Sequence, residues 1–295
     1  MKRYLKFILP VIIILLIVAV ILIFRSRRPN NQQFDAERAF EDVKYQVELG
    51  PRTMGSVAHE EAEQWIITAL LQSDWQVEIQ RAEISGQPLK NIIARRGSGS
   101  PWIILASHYD SRSFADKDKD PAKRSQAVPG ADDGASTVAI LLELARVIPK
   151  NYNNQIWLVF FDNEDNGNSS GIGWSIGSEN FISHLQGKPD SVVILDMLGD
   201  KDLNIYMEKN SNPEINTEIW GVAKELGYAQ FLPTYKYSII DDHIPFIKAG
   251  IRAVDVIDID YPYWHTSQDT LDKISAESLK VVGDTILKWV GEYPR

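Results

Sequence analysis

The 295-residue sequence predicts an α/β fold: a single domain on a central, mostly parallel mixed sheet flanked by helices on both faces, preceded by one transmembrane helix. Three observations predict it. From about residue 75 onward, short apolar runs alternate with segments of helical period. Most of those runs are apolar throughout, as expected of strands covered on both faces. Phe7 to Phe24 carries no charge and is interrupted only by Pro10.

The N-terminal run comes first. Eighteen helical residues span about 27 Å, close to the hydrocarbon thickness of a bilayer. A core helix would show a polar face, and this run shows none. A cleaved signal peptide would have a shorter apolar region and small residues at a cleavage site. Here the run ends in Phe24-Arg25-Ser26-Arg27-Arg28. Lys2, Arg3 and Lys6 before it nearly balance Arg25, Arg27 and Arg28 after it. The expected organisation is a cytoplasmic tail and anchor over 1–28, a polar linker over 29–33 and a catalytic domain over 34–295. The protein is then a single-pass membrane protein, attached through residues 7–24, with its catalytic domain extracytoplasmic.

Next come two helices. Ala36, Phe40, Val43 and Val47 recur at helical steps, and Ala62, Ile66, Ala69 and Leu70 share a face between Ala58 and Leu71. Gly50-Pro51-Arg52 is the turn between them. Trp75 to Ile79 alternates as a half-buried strand, and strands follow over 91–94 and 102–106. Then helix 137–147, strand 156–161, helix 178–185, strand 192–195, helix 215–226, strand 251–257 and helix 276–290 complete the pattern.

Composition narrows the chemistry. Hydrophobic residues at 44% and charged residues at 24% suit a globular core. A net charge of -9 opposes binding to nucleic-acid phosphates. There is no cysteine, so no disulfide and no thiolate ligand or nucleophile. Any metal site must use histidine and carboxylates, the donors of open catalytic sites.

Those residues collect where α/β folds bind ligands, beyond the carboxyl ends of strands. Strand 102–106 is followed by Ser107-His108-Tyr109-Asp110, strand 156–161 by Asp162-Asn163-Glu164-Asp165, and strand 192–195 by Asp196. Strand 251–257 is followed by Tyr261-Pro262-Tyr263-Trp264-His265, and Gly130-Ala131-Asp132-Asp133-Gly134 opens a helix. Zinc accepts imidazole nitrogen and carboxylate oxygen, so a donor from each strand end makes a rigid cup. Asp110, two residues after His108, is placed to accept the second imidazole N–H. Each residue also has a simpler reading: Asp133 as a helix cap, Glu164 and Asp165 as a solvated turn, His108, Asp196 and His265 as loop residues. The simpler readings fail to explain all five at consecutive positions. His59 and His184 read as ordinary helix residues, and the methionines and Trp157 as core.

Taken together, His108-Tyr109-Asp110, Gly130-Ala131-Asp132-Asp133, Glu164-Asp165, Asp196 and His265 resemble the M28 zinc peptidase superfamily. Leu49-Gly50-Pro51-Arg52, Ser107-His108-Tyr109-Asp110-Ser111, Leu142-Glu143-Leu144-Ala145-Arg146, Asp241-Asp242-His243-Ile244-Pro245-Phe246 and Trp264-His265-Thr266 make the chain similar, within it, to the animal-type glutaminyl-peptide cyclotransferases. The resemblance runs from about residue 34 to the end. It implies a zinc aminopeptidase-like fold and a peptide or protein N-terminus as substrate. Asp133, Asp165 and His265 would hold one zinc in a cyclotransferase. His108 and Asp196 would complete a second zinc position in an aminopeptidase, with Asp133 bridging. Glu164 would be the general base and acid, in an acidic network with Asp196 and Asp241. Trp264, Ile239, Trp174 and Tyr261 would line the pocket. Three departures stand out: Asp165 replaces a glutamate, Asn166 to Gly173 does not follow the pattern, and the cysteine pair of the animal enzymes is absent.

Overall fold

A computed structural model describes residues 33–84, 86–152, 154–167 and 173–293. The anticipated transmembrane helix and linker fall almost wholly on residues 1–32, outside this range. Among the described residues, no helix is long and apolar enough to cross a membrane.

Helices α1 (Ala36–Leu49) and α2 (Val57–Gln72) open the domain, each capped by a side chain accepting from a backbone N–H, Asp35 and Ser56 respectively. Strands β1 (Gln76–Ile84) and β2 (Gln87–Arg96) form an antiparallel hairpin. Then follow β3 (Trp102–His108), α3 (Thr137–Val147), β4 (Gln155–Phe161), α4 (Ile176–His184) and β5 (Ser191–Asp196). The chain continues through β6 (Ile205–Met207), α5 (Pro213–Leu226), β7 (Phe231–Tyr235), α6 (His243–Lys248), β8 (Ala253–Ile257) and α7 (Ala276–Glu292).

The main sheet has the order β1-β2-β4-β3-β5-β8. β4, β3, β5 and β8 pair in parallel, while β2 joins β4 antiparallel. The sheet is therefore mixed and mostly parallel, as expected. Alternation along the strands divides the core in two. Ile103, Leu105, Leu158, Val193 and Val254 face one side, with α1, α2, α3, α5 and α7. Ile104, Ala106, Val159, Ile194 and Ala253 face the other, against Phe181 of α4 and Phe246 of α6. Helices cover both faces. A small parallel pair, β6–β7, and the six-residue α6 are additions that the sequence pattern did not reveal.

Parallel pairing brings the carboxyl ends of four strands to one edge. His108 ends β3 opposite Phe161 of β4, and Asp196 ends β5 opposite Ile257 of β8. The site is built there.

Candidate active site

Two clusters share one carboxylate. His108, Asp133 and Asp196 form one, and Asp133, Asp165 and His265 the other, with the donor atoms of each within 4.8 Å of one another. All five residues are buried. Asp133 offers one oxygen to each cluster: Oδ1 lies 3.1 Å from His108 Nε2 and Oδ2 3.7 Å from His265 Nε2. Asp196 Oδ1 is 3.1 Å from His108 Nε2, and Asp165 Oδ1 is 2.9 Å from His265 Nε2.

Asp133 does not cap a helix. Its backbone is non-helical inside the turn Ala131–Ser136, and α3 proper starts at Thr137. Gly134 must be glycine, because a Cβ there would lie 2.6 Å from the His108 carbonyl and 2.8 Å from its ring. Gly130 has φ 68°, a conformation that disfavours side chains. Five described non-glycine residues have positive φ, and four of them, Asn163, Ser175, Met197 and His265, border this site. Backbone held in such conformations is a mark of functional loops.

Several of these ligand atoms make only ion-pair contacts within the protein. Among the described residues, both oxygens of Asp165, Asp133 Oδ2 and His108 Nδ1 are buried without a hydrogen bond. Buried carboxylate oxygens without donors are costly unless a cation meets them. Carboxylate and imidazole donors converging in this way fit a divalent metal.

Residues 91–290 match Peptidase family M28. The chain belongs to peptidase family M28. It is 27% identical over 276 residues to the glutaminyl-peptide cyclotransferase of Drosophila melanogaster, covering 79% of this chain and 75% of that protein. It is 28% identical over 211 residues to aminopeptidase YwaD of Bacillus subtilis, covering 64% of this chain and 40% of that protein. The crystal structure of Porphyromonas gingivalis glutaminyl cyclase superposes with a TM-score of 0.84 at 32% identity, covering 88% of this chain and 98% of that one.

In this M28 domain, Glu164 stands beside the metal clusters. It lines a cavity of about 420 Å³ together with Asp196, Asp241, Trp174, Ile239, Ile257 and Trp264. Burial raises the Glu164 carboxyl well above its ordinary range, and the neighbouring Asp241 adds to this. Burial likewise pushes Asp196 up to about 7 and, with the Asp133 charge, Asp165 up to about 6. A bound cation would draw both ligating carboxyls back toward ionisation.

Trp264, Ile239 and Trp174 lie on the cavity wall. Trp174 lies parallel to the His265 ring, centroids 5.8 Å apart. Tyr261 is a correction. It is absent from the cavity wall; its hydroxyl donates to Asp269 Oδ1 at 2.7 Å, behind the site. Asp269 in turn accepts from the backbone N–H of Asp132 and Asp133. Tyr261 therefore braces the Asp133 turn. Asp110 also differs from expectation. It lies 3.5 Å from His108 Nδ1 without a hydrogen bond. Its oxygens instead accept from the N–H groups of Glu164 and Asp165 and from the Asn166 amide. It shapes the loop that carries Glu164 more than it orients the imidazole.

Sequence reasoning missed four supporting residues. Arg112 donates to the carbonyls of Asp165 and Gly167, pairs with Asp116, and lies 4.8 Å over the Trp174 ring. Asp116 Oδ1 is 3.5 Å from His265 Nδ1, the same separation as Asp110 from His108 Nδ1. Asp269 is the third. Arg52 is the fourth: fully buried, it donates to the carbonyls of Tyr109, Pro129 and Gly130, tying the His108 and Asp133 loops together. Only Arg52 had a sequence signal, the Leu49-Gly50-Pro51-Arg52 motif. His184 is an exposed helix residue as expected. His59 is helical but buried, 2.9 Å from Asp162.

Proposed function

We propose that this protein is a zinc-dependent glutaminyl-peptide cyclotransferase, converting an N-terminal glutaminyl residue to pyroglutamate with release of ammonia. The observation that carries the reading is the placement of Glu164, Asp196 and Asp241 together on the wall of a mainly apolar, tryptophan-lined cavity beside the metal clusters. The similarity to proteins named glutaminyl-peptide cyclotransferase and glutaminyl cyclase supports it.

Asp133, Asp165 and His265 would hold one zinc ion. Bound zinc supplies positive charge that polarises the γ-amide carbonyl and stabilises the developing oxyanion. Glu164 takes a proton from the attacking α-amine as its nitrogen bonds to the γ-amide carbon, and delivers one to the departing nitrogen. The carbon–nitrogen bond of the side-chain amide breaks and ammonia leaves. Asp196 and Asp241 keep the Glu164 proton exchange inside a carboxyl network. Trp264, Trp174 and Ile239 hold the side chain folded back on its own amine, which removes rotational freedom. The reaction consumes no water, which an apolar wall excludes.

Purified protein incubated with a Gln-initiated peptide is expected to yield a product lighter by one ammonia. Intact-mass measurement showing only released free amino acid would sink the reading. That outcome belongs to a second reading, a di-zinc aminopeptidase. The completed His108–Asp133–Asp196 cluster and the similarity to YwaD favour it. Two zinc ions per chain together with amino-acid release would establish it.

The apolar run Phe7 to Phe24 supports membrane anchoring of the domain. Recovery of the full chain in the membrane pellet after alkaline carbonate washing is the expected result. Release into the supernatant would exclude a spanning anchor.

A further inference from the structure

A third buried cluster lies behind the cavity wall. Asp241, His243 and Asp255 offer donor atoms within 4.8 Å of one another. His243 is wholly buried between two carboxylates, its Nε2 3.3 Å from Glu208 Oε2 and its Nδ1 3.6 Å from Asp255 Oδ2. Asp241 rides on the segment 236–242, which joins β7 to α6 without strand or helix of its own. Tyr237, Ser238, Ile239, Ile240 and Asp241 all line the cavity.

Such a segment needs an anchor, and Glu208 is central to it. Its Oε1 accepts from Ile239 N–H at 2.9 Å. Its Oε2 accepts from Asn210 N–H, Ser211 N–H and the Ser211 hydroxyl, at 2.8, 2.7 and 2.9 Å. The Ser211 oxygen also accepts from Asp255 N–H. Lys209 N–H and the Asn210 amide add bonds to the carbonyls of Tyr237 and Ile239. A charged acceptor serving four donors is strong and geometrically fixed. His243 immediately follows the Asp241–Asp242 pair, and Ile244 N–H donates to the Asp241 carbonyl. Glu208 thus holds the segment by hydrogen bonds on one side of Asp241, while on the other the buried His243 ring packs between Glu208 and Asp255 by close contact without a hydrogen bond of its own.

We propose that Glu208 and His243 are a positioning pair for Asp241, fixing its carboxyl relative to Glu164 and so setting the rate of proton exchange. The inference rests on the cyclotransferase reading, in which Asp241 belongs to the Glu164 network. Neither residue lines the cavity, so neither touches substrate.

A double-mutant cycle on the zinc-loaded enzyme tests it. His243→Asn and Glu208→Gln should each lower kcat by about 10²-fold, since a 1 Å misplacement can cost that much. KM should stay within about threefold and the zinc content should not change. Combined with Asp241→Asn, either substitution should add nothing, because the group it positions is gone. A general loss of packing would instead add in full. Full additivity, an unchanged kcat, or loss of a bound metal equivalent in His243→Asn each overturns the proposal, the last by making the cluster a metal site. Should His243→Asn fail to fold, Glu208→Gln, which keeps the side-chain length, carries the cycle alone. Absence of cyclisation by the unaltered enzyme would overturn the function reading instead, so the two failures are distinct.

Discussion

The two halves of the metal centre share Asp133 and differ in what their remaining atoms touch. In the His108 half, Asp196 and His108 meet at 3.1 Å as a hydrogen bond, so each largely satisfies the other. In the His265 half, neither Asp165 oxygen receives a hydrogen bond, although the residue is buried. Each imidazole has a carboxylate 3.5 Å from its Nδ1, Asp110 for His108 and Asp116 for His265, but the His265 ring also has Trp174 stacked against its face. One half is closed by a hydrogen bond; in the other, Asp165 makes ion-pair contacts with His265 and, at 3.6 Å, with Arg112, but its oxygens keep lone pairs that a metal ion would take up. The His265 half should therefore bind zinc first and more tightly, and the His108 half should be dispensable to a one-zinc enzyme.

The largest effect expected is from His265→Ala. It should strip zinc at neutral pH and abolish turnover, both measured on the same sample by metal analysis and product mass. His108→Ala should keep one zinc per chain and retain activity within about tenfold, the lower range expected for a metal's supporting residues. If the two substitutions lose zinc equally, the halves are equivalent and the comparison fails.

Glu164→Gln comes next. The amide cannot carry the proton, so kcat should fall by about 10² to 10⁴-fold while zinc stays bound. An unchanged kcat would remove Glu164 from the mechanism.

How much of this was legible in the sequence follows from how each residue is delivered to the site. His108 and Asp196 end strands, and Asp165 and His265 come in the loops after strands at the same end of the sheet, which strand period and position reveal directly. Asp133 was legible through its glycine-flanked motif. Arg112, Asp116 and Asp269 come from loops whose paths depend on tertiary contacts such as Lys117 N–H to the His265 carbonyl. No local pattern encodes those. Tyr261 was misplaced for a related reason: proximity to His265 in sequence says nothing about the direction of its side chain. α6 spans only six residues, too few for a helical period to register, and β7 contains Pro233 and is largely exposed. Asp255 lies in a strand the sequence predicted and His243 in a motif it singled out, but their meeting with Glu208 depends on tertiary contacts that no local pattern encodes.

The smallest effect concerns the metal-free protein, and pH separates the halves there. Burial raises the folded carboxyls of Asp165 to about 6 and of Asp196 and Asp269 to about 7, against about 3.9 in an unfolded chain. Between these values the folded state holds more protons than the unfolded one, so stability falls as pH rises from about 4 through about 7. His108, raised by its three carboxylate neighbours despite burial, acts in the same direction at higher pH. Glu208, lowered to about 2 by His243 and backbone donors despite burial, acts oppositely but only under acid conditions below this window. Metal-free protein should therefore melt at a lower temperature at pH 8 than at pH 5.5. Zinc requires the ligating carboxylates ionised, so the zinc-bound form should gain relative to it as pH rises through about 6. Asp165→Asn should flatten the metal-free slope near pH 6, and Asp196→Asn the slope near pH 7. A metal-free melting temperature that climbs across this range would show that the His265 half holds its charge without help, and with it the reason for preferring that half would go.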